Sequence, residues 1–548
     1  MLPPGLETPR QVKAYYNTVY NNLISFGAFQ PFLYPQATFG FAIVLVYLLV
    51  DHRRRPILQQ LRLPLFGLLV AFSIWNILNV RARSAPAAYG VGLISSWGTM
   101  WTAAVMAWND CQTDFWRLER ADEGALKRAR EQSDVGKDVN GIANGKGGKE
   151  RRVAMLELSE TMATQGPAKR MGPIFRQAYP GRPFLERLDW VADVFCSFRG
   201  VGWEFETSGI PQLPEHIELE LSGHQDANGN IQGASKDDEI SPPTTSYTGL
   251  IRFSSRPALL RFLLPRLFLG AATLDIVKTL MHHDPYFWGH TDTTARPPWL
   301  FGIKSHILLR SARLLLSFVG ISVALNTIFL LGPLFFVYIL SSKRIGLRGA
   351  PFINPPTYFG SINIVLNKGL AGFWSSYWHQ TFRHAFQAPA TRLLSFLQVE
   401  PRSQKGRLIG LWLAFALSGL LHASGSTTQL GDTRPIRGPF AFFLSQALGI
   451  TLQTFFTRKA QQPLLTHLPR PLRQFGNLSF VIVWMYFTAP LLVDDFAKGG
   501  VWLYEPLIIS PLRLLGWGQA DDREDWILWK DLVRWRTGRG WWDTGLAF

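Results

Sequence analysis

The stretch "LLLSFVGISVALNTIFLLGPLFFVYIL", Leu314–Leu340, runs for 27 residues without a charged side chain. A helix that crosses the hydrocarbon core of a bilayer needs roughly 17 to 25 predominantly apolar residues, since no water is there to satisfy the backbone. Leu314–Leu340 meets that demand, and other stretches repeat it: Phe32–Val50, Leu63–Val80, Pro86–Trp108, Pro439–Phe456 and Phe475–Val493. Leu259–Met281 carries Arg261, Arg266, Asp275 and Lys278, and Leu408–Ala423 is short and ends close to His422. Charges inside a span normally face protein or a water-filled cavity, so both are expected as helices of the bundle. The expected fold is all-α, a polytopic integral membrane helical bundle of about eight spans.

Composition agrees. Of 548 residues 47% are hydrophobic and only 17% charged, while 56 Lys+Arg against 39 Asp+Glu leave a net charge of +17. Such a balance fits a partner rich in phosphate. Nucleic acid is not expected, since no dense basic arm or zinc-finger spacing appears and the positive charge flanks apolar runs. Cys111 and Cys196 are too few for a disulfide framework and read as ordinary buried or neutral thiols. The start, "MLPPGLETPRQVKAYYN", lacks the basic-then-apolar order of a cleavable signal peptide.

Short basic loops set orientation. "DHRRRP" after the first span is expected in the cytosol, and alternation puts Asn109 to about Arg256, Ser341–Arg407 and Thr457–Gln474 there too. The chain divides into N-terminal spans (1–108), a cytosolic and largely disordered insert with one interfacial helix (109–256), a membrane core (257–493) and a Trp-rich interfacial tail (494–548). In the insert, "DVGKDVNGIANGKGGKERR" and "GHQDANGNIQGASKDDEISPPTTS" hold too few large apolar residues to order themselves. Between them, "RLDWVADVFCSFRGVGWEF" is amphipathic and reads as an interfacial helix ending at the Gly200–Trp203 turn. In the tail, Trp526, Trp529, Trp535, Trp541 and Trp542 stand among charges, as headgroup-level anchors do.

Two histidine segments stand out. As one helix, Gly372–Gln387 puts Phe373, Trp374, Tyr377, Trp378, Phe382 and Ala385 on one side and Ser375, Ser376, His379, Gln380 and Arg383 on the other. His379 and Arg383, four apart, then look together into a polar space. Phe386 falls on the polar side, and His384 falls on the apolar side as a satisfied structural histidine. Helix geometry alone somewhat favours an interfacial anchor helix with a solvated polar face. The second segment, "LWLAFALSGLLHASG", ends an apolar run on one imidazole, His422. An ionisable group inside a span is costly unless it is used or paired. Ser418 lies four residues earlier on the same face, and Gly419 lets a neighbour approach closely. Other chemistry is poorly supported: "GKGGKE" lacks phosphate-loop spacing, "HASGST" is not a nucleophile elbow, and His282, His283 and His290 lack metal-site spacing, so no metal is expected.

At "FWSSYWHQTFR" followed by "SGLLH" the chain resembles the membrane-bound O-acyltransferase family, in the wax synthase-like branch common in fungi. Phe373, Trp374, Trp378, His379 and Gln380 match the first part of that pattern; Ser418, Gly419, Leu420 and His422 match the second. "RGVGW" (Arg199–Trp203) and "PPTYFG" (Pro355–Gly360) resemble further features of the fungal members. Ser375 and Ser376 depart from the Gly-Arg type residues often found there, which leaves Arg383 as the nearest cation.

The resemblance implies a helical fold enclosing a tunnel in which acyl-CoA from the cytosol meets an acceptor hydroxyl. No bound cofactor is expected, and acyl-CoA, with acetyl-CoA favoured, is the co-substrate. His422 and His379 are the expected catalytic pair: His422 takes the hydroxyl proton with Ser418 fixing its orientation, and His379, with Gln380 and Trp378 in support, settles the carbonyl oxygen or positions CoA. The basic residues Arg383, Lys343, Arg344 and Arg348 would meet CoA phosphate, with Arg402, Lys405 and Arg407 nearby in the same loop. The expected reaction is esterification of a hydrophobic alcohol, with acetyl transfer to a terpenoid-type secondary metabolite ahead of long-chain wax ester synthesis. The expected partners are acyl-CoA, that alcohol and membrane lipid, in the endoplasmic reticulum. A transporter would show related halves and broken helices at matching positions, and neither is visible. A haem protein would need His379 and His422 to face one another as axial ligands.

Overall fold

The computed structural model describes residues 2–3, 5–121, 174–181, 183–222, 242–300, 302, 304–460, 468–504, 506–519, 527 and 533–548. "DVGKDVNGIANGKGGKERR", most of the second polar stretch, Trp526 and Trp529 lie outside the described residues.

Five helices among the described residues are long and apolar enough to cross a membrane: Pro56–Asn79, His306–Leu340, Gln404–Thr427, Ile436–Thr457 and Arg470–Lys498. The other three expected spans do not reach that mark, so the described residues do not confirm a count of about eight. Gln36–Leu49 is too short. Ala85–Thr102, rich in Gly, Ser and Thr, runs on through a wide turn at Ala103–Ala107. Arg256–His282 keeps its internal charges, and two of them are buried against protein as expected. Asp275 accepts from Ser510 Oγ and, at 3.0 Å, from the Leu512 amide, and Lys278 Nζ donates to the Trp502 carbonyl.

The described part of the insert packs on the bundle. Trp116–Arg120 pairs antiparallel with Ile174–Ala178, and Arg117 of this pair is bonded to Asp189 (2.5 Å) and Asp193 (2.8 Å) of the helix Phe184–Cys196. That helix buries Trp190, Val191 and Val194 in a cluster with Val44, Leu48 and Trp101 of the N-terminal helices, and leaves Phe184, Leu185 and Leu188 exposed. It ends before a turn in which Gly200 (φ 61°) and Gly202 (φ 76°) take the left-handed conformation that favours glycine. Cys111 is buried and Cys196 is exposed. The C-terminal strand Gly545–Ala547 pairs with Leu33–Tyr34 and Arg534–Arg536, and Trp535, Trp541 and Trp542 remain exposed beside it.

The continuous helix expected over Gly372–Gln387 does not form. Ile362–Gly372 leads into a wide turn, Phe373–Tyr377; Trp378 is extended (ψ 147°), and a new helix starts at Arg383. The Trp378 amide bonds the Phe373 carbonyl (2.7 Å), and the Tyr377 carbonyl is taken by the Gly360 amide (2.8 Å). The Gln380 amide group donates to the carbonyls of Trp374 (2.9 Å) and Trp378 (2.6 Å), satisfying oxygens that the broken ladder leaves over. Side-chain and loop bonds therefore replace the helical ladder, and His379 and Arg383 do not stand one turn apart on one face.

Candidate active site

His422 sits in the last two turns of Gln404–Thr427. Its ring stacks on Phe443 (centroids 4.6 Å, 12°), and its Nδ1 lies 2.7 Å from the Tyr89 hydroxyl. Tyr89 belongs to Ala85–Thr102, which packs along Gln404–Thr427 at a very short distance. A Cβ added at Gly92 would lie 1.9 Å from the Ser424 carbonyl oxygen. Hydroxyls close the seam: Ser424 Oγ donates to the Gly92 carbonyl (3.0 Å), Thr428 Oγ1 to that of Ala88 (2.6 Å), and the Gly92 amide to Thr428 Oγ1 (3.2 Å). Ser418 lies one turn before His422 and is partly buried, and Gly419 receives Phe440, whose ring would be 2.8 Å from an added Cβ.

His379 occupies the break between the two helices, ringed by Trp378 (5.4 Å), Phe382 (5.5 Å), Phe329 (5.7 Å) and Phe359 (6.0 Å). Its Nδ1 is buried without a hydrogen-bond partner among the described residues. Burial pushes its pKa down to about 3, with His422 adding in the same direction, so the ring is neutral and carries one N–H. Trp374 joins the two histidine segments. It packs on Trp378 (5.8 Å) on one side and on Phe443 (5.9 Å), the ring that covers His422, on the other.

The expected basic residues are dispersed. Arg383 turns back on the break and donates to Gln380 Oε1 (3.4 Å) and the Ser375 carbonyl (3.5 Å). Lys343 and Arg344 are exposed on the short helix Ser342–Ile345. Arg348 is engaged by Asp189, in the cluster that also holds Arg117. His384 stacks on Phe205 (4.3 Å) as an interior ring, yet its Nε2 is buried without a partner among the described residues. His283 and His290 bond backbone carbonyls, and His282 lies against Arg513.

Arg199 joins the two remaining motifs. Buried by the break, it donates to the carbonyls of Thr357 (2.8 Å) and Pro355 (3.4 Å) and lies over Tyr358, which stacks on Phe329 beside His379. Sequence reasoning missed Tyr89 and Phe443. Tyr89 did carry a signal, a lone aromatic hydroxyl between small residues in "APAAYGVG".

Residues 355–445, from the Pro355 turn through both histidines and past Phe443, match the family described as Membrane bound O-acyl transferase family. The similarity to this family covers that segment of the chain. Curated relatives are fungal. One is the O-Mevalon transferase yanI of Aspergillus niger, 26% identical over 291 residues that cover 50% of this chain and 54% of the relative. Others are the Acetyltransferase spyB of Aspergillus fumigatus (25% identical, 50% and 40% covered) and the O-Mevalon transferase macI of Penicillium terrestre (24% identical, 49% and 53% covered). The chain thus spans about half the length of these relatives. No solved structure matches it. Within the matched segment 355–445, the aromatic wall of Trp374, Trp378 and Phe443 is the feature that brings both histidines to one interior region.

Proposed function

We propose that the protein is an acyl-CoA-dependent O-acyltransferase that esterifies a hydroxyl of a hydrophobic alcohol in a multi-pass membrane setting, the endoplasmic reticulum. The observation that carries this reading is the pair of histidines that share one aromatic wall inside the family-matched segment. A thioester is already activated, so the chemistry asks only for a base and for something to settle charge on the carbonyl oxygen. His422 Nε2 takes the proton of the alcohol as its oxygen bonds to the thioester carbonyl carbon. The neutral His379 ring donates its N–H to the oxyanion. The C–S bond then breaks, and His422 passes its proton to the CoA sulfur, which leaves as the thiol and restores the neutral base. Gln380 and Trp378 hold the turn that carries His379. Arg383, Lys343 and Arg344 meet CoA phosphates from the cytosolic side, whereas Arg348 serves Asp189. Protease protection of intact microsomes tests that side.

Acetyl transfer to a terpenoid-type alcohol of secondary metabolism is the favoured reaction, in keeping with a relative named as an acetyltransferase. Two relatives named as O-Mevalon transferases favour a second donor, a mevalonyl group. Mass spectrometry of products, after microsomes bearing the protein receive acetyl, mevalonyl or long-chain acyl-CoA with a panel of hydrophobic alcohols, decides among them. An acetyl ester as the main product supports the favoured donor, a wax ester would replace it, and no ester from any pair would overturn the acyltransferase reading.

A further inference from the structure

We propose that Tyr89 is the positioning residue of His422, holding the imidazole with its proton on Nδ1 so that the Nε2 lone pair meets the alcohol. This rests on the reading of His422 as the base. The phenolic oxygen stands 2.7 Å from Nδ1, and the two residues are 333 positions apart on helices that touch along their backbones. A base whose second nitrogen is held by another group has its tautomer and ring orientation set in advance.

Three features keep the hydroxyl in place. The Tyr89 ring is wedged over Gly425, where an added Cβ would fall 2.7 Å from it. Its other side meets the edge of Phe496 (5.2 Å, 81°). The Gly92, Ser424 and Thr428 bonds fix the register of the two helices one turn away. Phe443 stacks on the His422 ring, so the imidazole rotates little about its own axis.

The proton count closes. At rest Nδ1–H donates to the Tyr89 oxygen and Nε2 is bare. When Nε2 takes the hydroxyl proton, both nitrogens are protonated, and the bond to Tyr89 becomes charge-assisted and stronger. Tyr89 keeps its own proton throughout, and the proton on Nε2 passes to the CoA sulfur, which leaves as the thiol. The opposite arrangement, with Tyr89 donating to Nδ1, would put the imidazole proton on Nε2 and leave no base there.

The test compares Tyr89→Phe, His422→Ala, the double variant and Phe496→Leu in the full-length protein, with kcat and KM for acetyl-CoA normalised to folded protein. Tyr89→Phe keeps the ring and removes the oxygen; the expected result is a fall in kcat of about ten- to a hundredfold with KM for acetyl-CoA unchanged. In the His422→Ala background the same change should have no further effect, because its route of action is already gone. Phe496→Leu disturbs the packing of Tyr89 but not its hydroxyl, and should lower the amount of folded protein more than kcat. Unchanged kcat in Tyr89→Phe overturns the proposal, as does an equal loss in the presence and absence of His422. Should Tyr89→Phe not fold, a loss of kcat per folded protein in Phe496→Leu as deep as that in His422→Ala would assign the effect to packing and overturn it. Full activity in His422→Ala would instead sink the underlying assignment of the base.

Discussion

The guanidinium of Arg199 lies 3.9 Å from the centre of the Tyr358 ring, across 159 positions of sequence, and donates to the carbonyls on the near side of that ring. It ties the insert to the turn that presses on His379. Arg199→Ala should leave the carbonyls of Pro355 and Thr357 without this donor, at about 1 to 3 kcal/mol. Arg199→Lys should recover only part, since a point charge cannot match the planar fork. Thermal unfolding of the purified variants checks both, and an unchanged midpoint in Arg199→Ala would show the contact to be idle.

Replacing His422 by Ala should abolish transfer and leave expression and membrane insertion nearly intact. Loss of a general base lowers a rate by about a hundredfold to ten-thousandfold. Product formation per folded protein is the measure, and near wild-type turnover would rule out this role.

His379 and Arg383 should separate kinetically. His379→Ala lowers kcat, because a donor to the oxyanion acts where charge develops. Arg383→Ala raises KM for acyl-CoA, because a phosphate contact is made equally before and at the transition state. Unchanged kinetics in both would return this segment to a packing role.

Gly92 and Gly90, two positions apart on one helix, should respond in opposite directions to Ala. A Cβ at Gly92 meets the Ser424 backbone, which cannot yield without parting the helices, whereas Gly90 has open space around it. Gly92→Ala should cost about 1 to 3 kcal/mol or more. Gly90→Ala should be neutral or gain about 0.5 to 1 kcal/mol from helix propensity. The fraction of monodisperse protein after detergent extraction distinguishes them, and equal yields would mean that the seam is looser than described.

Burial pulls the pKa of His384 from its ordinary 6.5 to about 4. The unfolded chain therefore binds a proton there at a pH where the folded protein does not, so stability is fully present above 6.5 and declines as the pH falls toward 4. His384→Phe keeps the stack on Phe205 and removes the titration. Its thermal midpoint should fall less than that of the unmodified protein between about pH 7 and pH 5. An equal fall in both would place the acid sensitivity elsewhere.

The sequence by itself determined the helical membrane class, because long uncharged runs such as Leu314–Leu340 have few other folded outcomes. It also marked both histidine segments, since an imidazole at the end of an apolar run and a polar cluster among rings are locally conspicuous. What it did not determine depends on partners distant in the chain. The break at Tyr377–Gln380 arises where the Gly360 amide and the Gln380 side chain outbid the helical ladder, and periodicity within the segment cannot report a competitor outside it. Arg348 reads as a free cation until Asp189 is placed beside it. The neighbour of His422 is Tyr89 because two helices meet at Gly92 and Ser424, a contact fixed by backbone approach between segments hundreds of residues apart, and only the tertiary structure could decide it.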